Sequence, residues 1–427
     1  MICAPVRRRA RRRARRASLA VALATIATVA AAGVTAGPAA AGGAVVVVGP
    51  AGLPAALAGA SPGETIVLEP GVYAEAVSIA KDNVTLVGSG SGAGGTVLTW
   101  PAALPVGSTL VGLGGNGDRV TNLRVDLSAS PAVTPANPFD TGIGTTSPAP
   151  TGTRVDHVAV VGNGAPGLVG TFVAGSDGTI RGSVLSGLTN AVTVAVNGAT
   201  VEGNTLSADC SDVFVLDLSA LGLGAATASH VTVQDNTITG PEACPGGPAA
   251  YGAGYGAITV FHAPYSTVRD NTVTGVNDIA IGADTQHLTV QGNTLRNDCL
   301  GIAFSDLGLP DGAGTATVAG NEVQGTGTAA CYPGGYGTLA TGIRIDGATN
   351  TTVVGNEVHK TVAAPGSTVN GIVVDDLPKS ANDQVVANEV HLTLGSAAGY
   401  DLFWDGSDSP IFRHNECKTS SPAGLCS

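Results

Sequence analysis

Residues 342–359 read GIRIDGATNTTVVGNEVH, and two different kinds of information are mixed in them. Ile343 and Ile345, then Val353 and the residues around it, alternate with polar or small positions as a strand does. The closing Asn-Glu-Val recurs elsewhere in the chain, so this stretch reads as one unit of a repeat. Arg344 and Asp346 sit at positions where the repeat needs neither charge.

Working outward, the same short phrase returns as VEGNTLS at 201, VQDNTIT at 233, VRDNTVT at 268, VQGNTLR at 290, VAGNEVQ at 318, VVGNEVH at 353, VVANEVH at 385 and FRHNECK at 412. Weaker copies precede them at Val160–Asn163 and Ile180–Ser183. The central Asn residues are 22 to 35 positions apart, which suits a coil of about 22 residues carrying insertions of variable length. Each phrase reads as strand, tight turn at Asn, strand. Asn tolerates the left-handed conformation of a sharp turn, and its amide can bond the equivalent Asn one coil away. Between phrases lies a second strand, usually opened by Gly or Asp: DVFVLD, GAITVF, DIAIGAD, GIAFSD, GIRID, GIVVDD and YDLFWD. Stacked coils let every strand pair in parallel with its neighbours and close a continuous core.

This pattern resembles the right-handed parallel β-helix of the pectin lyase-like superfamily, over roughly Ala44 to Cys426. The stretch from Leu68 to Val77, followed by Asp82 to Gly88, looks like the first coil of such domains. The resemblance implies an all-β right-handed parallel β-helix, a solenoid with a short N-terminal capping segment, occupying residues 42–427. It does not choose a reaction, because the superfamily includes lyases, glycosidases, esterases, epimerases and proteins without catalysis. Of the polygalacturonase segments Asn-Thr-Asp, Asp-Asp, Gly-His-Gly and Arg-Ile-Lys, the stretches around Asp278 and Asp298 are faintly similar to Asp-Asp, Arg344-Ile345-Asp346 departs from Arg-Ile-Lys at its last residue, and Gly-His-Gly has no counterpart. The Trp-Ile-Asp-His segment of pectate lyases has no counterpart.

Composition agrees with such a fold. Gly supplies 62 of 427 residues, charged residues are 12% and aromatics 4%, a balance that favours turns and small side chains over amphipathic helices. The first forty residues read differently: a basic run, an Ala-rich apolar segment too short for a membrane span, and Ala39-Ala40-Ala41 as a cleavage site. Residues 1–41 are therefore expected to be a signal peptide, with Arg15-Arg16-Ala17-Ser18-Leu19 only weakly similar to a twin-arginine signal. The product is expected to be extracellular and monomeric, with no stable membrane span. Eight of the 20 Lys and Arg lie in that leader, so the remainder carries 12 bases against 32 acids, a formal charge of −20. Such a surface repels nucleic acid and anionic lipid, and repels a polyanionic sugar unless a cation intervenes.

Removing Cys3 with the leader leaves six cysteines, with no C-x-x-C pair to suggest zinc. In an exported protein they are expected to pair. Cys210 with Cys244, and Cys299 with Cys331, follow the Asn of successive phrases and fall on neighbouring coils, ~4.8 Å apart along the stack. Cys417 and Cys426 then close the last coil.

Aligning the second strands on Ile302, Ile343 and Ile372 makes Ala303, Arg344 and Val373 one outward column and Ser305, Asp346 and Asp375 the next. Asp306 and Asp376 follow at the strand end, with Asp217, His262, Asp284 and Asp405 at similar positions on other coils. The expected result is an acidic, outward strip with Arg344 beside it. Three readings compete. Carboxylates on neighbouring coils at about 5 Å suit a retaining glycosidase, and those near 9 to 10 Å suit inversion. A bound Ca²⁺ could instead bridge an acidic sugar, with Arg344 steadying the charge that develops in a lyase. Alternatively, Asp merely ends strands and solvates an edge. Loops before the strip carry Tyr251, Tyr255, Tyr332 and Tyr336, which could stack on sugar rings or simply hold the loops against the coil. Trp404, with Phe403, could extend that surface. A second strip runs beside the Asn column: Thr at 205, 237, 272 and 294, Glu at 322, 357, 389 and 416, with His359 and His391 two places on. It reads as a solvated face or a cation site. The function expected is a secreted protein that binds, and can cleave, an extracellular polysaccharide, the rival being a non-catalytic surface or scaffold protein.

Overall fold

The computed structural model describes residues 43–427 except 93, 132–138, 147–148, 218–226, 241–255, 306–312, 328–338, 362–367, 376–380, 393–397 and 407–409; at Asp209, Cys210, Leu339 and Ala398 only the backbone is described. The leader, Asp306, Asp376, Cys244, Cys331 and Tyr251, Tyr255, Tyr332 and Tyr336 lie outside the described residues.

Every repeat contributes one turn of a right-handed parallel β-helix with three faces. The first face carries the three-residue strand before the ladder Asn, as in Thr317–Ala319, Thr352–Val354 and Gln384–Val386, paired in parallel without slippage. The second carries the strand after it, as in Glu322–Gln324, Glu357–His359 and Glu389–His391. The third carries the longer strands Gly256–Phe261, Ile279–Asp284, Leu300–Ser305, Leu339–Asp346, Thr368–Asp375 and Ala398–Trp404. The second and third faces form one hydrogen-bonded sheet because Val184–Val194 and Thr205–Leu216 run through the corner between them, with register shifts around Leu188. At the N-terminal end the helix Leu53–Gly59 caps the stack, and its Leu53 is fully buried against the core.

Alternation sorts the side chains. On the third face Ile258, Ile281, Ile302, Ile343, Ile372 and Leu402 pair in register, all fully buried in the interior. Gly precedes several of these for lack of space: a Cβ on Gly342 would meet Val358 Cγ1 at 2.4 Å, and one on Gly371 would meet Val390 Cγ1 at 2.2 Å. The Gly that opens GIRID therefore lets the third face turn tightly onto the second.

The Asn column is a continuous buried ladder. Each Asn from 204 through 388 donates both its backbone N–H and its Nδ2 to the Oδ1 of the next, at 2.9 to 3.1 Å. The second Nδ2 hydrogen goes to a backbone carbonyl of the preceding coil, as from Asn321 to Val290 and from Asn356 to Val318. The amide groups are thus satisfied although the ladder is fully buried. Two expectations change here. The left-handed residue is the one before the Asn: Gly203, Asp235, Asp270, Gly292, Gly320, Gly355, Ala387 and His414 all have φ between 54° and 66°. The Asn is instead fixed by its ladder bonds. The early repeat is also displaced, because Val155 pairs with Ile180 on the first face whereas Val160 pairs with Leu185 on the second. Val155-Asp156-His157-Val158 is therefore the true copy, and Ser183 extends the ladder through its backbone N–H to Asn204.

Cys417 and Cys426 form a disulfide. Cys299 is also disulfide-bonded. The Glu column and the two histidines stack as expected, with His359 and His391 rings 5.9 Å apart and His391 Nε2 3.3 Å from Glu389.

Two outcomes test this architecture. Asn321→Ala strips four hydrogen bonds and leaves buried partners unpaired, so it should destabilise the fold by about 3 kcal/mol or more, against under ~0.5 kcal/mol for the exposed Thr272→Ala; equilibrium denaturation of both variants measures the difference. Peptide mapping without reduction should recover Cys299 joined to Cys331, and a Cys299–Cys244 peptide would show the register between those coils to be misplaced.

Candidate functional site

Arg344 leaves the third face between two residues committed to the core. Ile343 and Ile345 point inward and are fully buried, so alternation sends Arg344 and Asp346 outward. Parallel register then sets their neighbours: Arg344 stands between Ala303 and Val373, and Asp346 between Ser305 and Asp375. Trp404 pairs with Val374, so Asp405 falls in line with Asp375 and extends that column to a third carboxylate. Asp284 belongs to the same column, since Ala283 pairs with Phe304. The expectation that Asp284 and Asp405 align with Asp306 and Asp376 is thus corrected by one residue; Asp306 and Asp376 themselves lie outside the described residues.

The expected open acidic strip is not what forms. Arg344 is 7% exposed and Asp346 9%, while Asp405 at the C-terminal end is exposed. Arg344 Nη2 lies 3.1 Å from Asp346 Oδ2 and 3.1 Å from Asp375 Oδ2. Two oxygens held by one nitrogen at that distance are no more than about 6 Å apart, twice 3.1 Å. That bound includes the ~5–5.5 Å separation of retaining carboxylate pairs and lies below the ~6.5 Å at which inverting pairs begin. Asp346 Oδ1 is buried with no hydrogen-bond partner among the described residues.

Burial drives the electrostatics. It pushes the Asp346 carboxyl above its ordinary range; Arg344 opposes that, and Asp405 adds to it. Burial likewise raises Asp375, opposed by Arg344 and reinforced by both Asp346 and Asp405. One guanidinium among three carboxylates leaves a site in which a proton is retained more readily than on a solvated Asp.

The aromatic expectations divide. Trp404 takes an inward position and is partly buried against the main core, so it does not extend a sugar surface as expected. Its place is taken by Phe403, outward in register with Val373, and by Tyr400, which is 39% exposed and stacks on Phe403 at 6.2 Å. Tyr400 was legible in the sequence only by aligning it with Asn370, whose Oδ1 accepts its backbone N–H. The four loop tyrosines lie outside the described residues.

A Ca²⁺ bridging Asp346 and Asp375 does not fit these residues. Arg344 Nη2 already stands between the two carboxylates, where the bridging ion would sit. Among the described residues no group of three or more His, Cys, Asp and Glu is arranged to hold a metal ion, and this includes the His359, His391 and Glu column.

Comparison with known proteins bears on the fold. A family model described as "Right handed beta helix region" matches residues 169–358. No curated protein matches the sequence. Among solved structures, DFA-IIIase from Arthrobacter chlorophenolicus A6 in complex with GF2 is similar with a TM-score of 0.51 at 16% identity, over 84% of this chain and 87% of that one. The A-module of mannuronan C-5 epimerase AlgE4 from Azotobacter vinelandii gives a TM-score of 0.42 at 14% identity, over 87% of this chain and 93% of that one. The chain has a right-handed parallel β-helix fold.

Proposed function

We propose that this is a secreted protein that binds an extracellular polysaccharide and hydrolyses it by a retaining, glycosidase-like mechanism. The observation that supports this is the Arg344 cluster, with two partly buried carboxylates within about 6 Å of each other on one guanidinium. Likeness to a DFA-IIIase that holds GF2 is consistent with a ligand groove on this fold. Export rests on the basic and apolar leader of residues 1–41.

In this reading Asp375, raised by burial and by two carboxylate neighbours, holds the proton and gives it to the leaving glycosidic oxygen. Asp346 attacks the anomeric carbon, forming a covalent glycosyl intermediate. A water then gives its proton to Asp375 and displaces Asp346. Arg344 holds the pair at fixed separation throughout and steadies whichever is ionised.

A second reading comes from elsewhere in the molecule. Asp156 bridges Arg119 and Arg181 on the coils to either side, at 2.6 and 2.7 Å, as a clamp between turns. The Arg344 cluster could be the same device with the charges exchanged, in a protein that binds without cleaving.

Kinetics and stability separate the two. With polysaccharide cleavage followed by reducing ends, Asp346→Asn and Asp375→Asn should each lower kcat/KM by about 10²–10⁴-fold with the Tm little changed; a lowered Tm in both variants, with polysaccharide bound but not cleaved by the unaltered protein, points to the clamp. Arg344→Gln removes the charge that holds both carboxyls down, so both should titrate higher and the whole pH–rate profile should move to higher pH. A shift to lower pH is incompatible with the assigned roles.

A further inference from the structure

On the first face, the outward positions of the successive strands Arg119–Thr121, Arg154–Asp156 and Thr179–Arg181 hold three arginines and one aspartate. Residues 42–427 as a whole carry a formal charge of −20, so this patch runs against the rest of the chain. We infer that Arg119, Arg154 and Arg181 form a binding site for a compact dianionic oxyanion, a phosphate or sulfate group.

Parallel register sets Arg154 directly between Arg119 and Thr179. The repeat needs no charge there, because the same outward column is Thr at 65 and 85 and Thr again on every coil from 179 through 352. Like charges in register on adjacent strands, ~4.8 Å apart at the backbone, work against the stack. Asp156 relieves only part of that repulsion. It is fully buried, and its two oxygens take Arg119 Nε at 2.6 Å and Arg181 Nε at 2.7 Å. The Nη groups of both arginines have no partner among the described residues, and their side chains are 36% and 44% exposed. Arg154 is exposed and makes no side-chain hydrogen bond or ion pair among the described residues. Asp156 thus acts as a positioning residue: it pins two guanidinium groups by one edge and leaves the Nη donors, which suit an oxyanion, unspent.

Two further acids come near in register or sequence, and both are engaged. Glu202, in register with Arg181, accepts Gln234 Nε2 from the following coil at 2.9 Å. Asp118 is fully buried, with its oxygens on the backbone N–H groups of Val84 and Gly115. Three guanidinium groups against the one carboxylate of Asp156 leave an excess of two positive charges, which matches a dianion. Their spread over three coils suits oxygens arranged tetrahedrally better than the two of a carboxylate.

The test is calorimetric titration of the full chain at low ionic strength with sodium phosphate, sodium sulfate, glucose 6-phosphate and sodium acetate. Phosphate or sulfate should bind at least about tenfold more tightly than acetate and should raise the Tm. Arg154→Gln breaks no contact, so its Tm without ligand should be equal or higher, while its affinity for the preferred ion should fall about tenfold and the ligand-induced rise in Tm should vanish. Arg269→Gln removes the same charge from the same face three coils beyond Arg181 and should change affinity by less than about twofold. Glucose 6-phosphate bound more tightly than phosphate identifies a sugar-borne group as the occupant, and weaker binding identifies the free ion. The site is overturned if neither phosphate nor sulfate binds, if acetate binds as tightly, if Arg154→Gln binds as the parent does, or if Arg269→Gln loses as much as Arg154→Gln.

Discussion

Each ladder Asn presents one oxygen and one amide to a column whose repeat is set by the spacing of parallel strands. Its Oδ1 accepts two hydrogen bonds from the coil before, and its Nδ2 serves both the coil after and a backbone carbonyl behind. A buried amide is costly unless every such bond is made, and here the cost is removed by repeating the same residue at the same place. Slipping one coil by a residue would break the bonds on both sides. Register is therefore held from the inside, and everything on the outer faces inherits it.

That inheritance builds the Arg344 cluster. In a parallel stack, a residue's nearest outward neighbours are its equivalents one coil above and below, so like residues meet like. Three aspartates in successive coils would repel one another and gather water or a cation. Arg344 breaks the pattern in an otherwise small or apolar column of Gly282, Ala303, Val373 and Phe403. Its guanidinium reaches forward to the carboxylates on its own coil and the next, which lets both stay partly buried; that burial raises their proton affinity, and the guanidinium opposes the rise. The Asp156 clamp shows the same stacking arithmetic used with two bases and one acid, but its arginines remain far more exposed. Burial of both partners is what gives the Arg344 cluster its chemical potential.

Much of this was legible in the residues. The recurring Asn, the alternating Ile and Val, and the Gly before each inward Ile specify the coil, because periodicity and turn chemistry are local properties that a linear chain records directly. The columns followed from the same count, and they brought Arg344, Asp346 and Asp375 together before any geometry was known. By sequence alone Asp284 and Asp405 read one residue away from their true column, and Val160 reads in the place of Val155. These errors share a cause: strand ends and the corner around Leu188 carry no distinctive residue to mark where pairing stops or shifts.

What the sequence by itself determined is thus the repeat, its pairing and the identity of the charges that share an edge. Only the tertiary structure decided that Arg344 and Asp346 are buried rather than solvated, that Arg344 stands where a bridging cation would, and that Trp404 turns inward while Phe403 and Tyr400 face out. Burial and side-chain reach depend on what neighbouring coils place over a residue, and no local pattern encodes that.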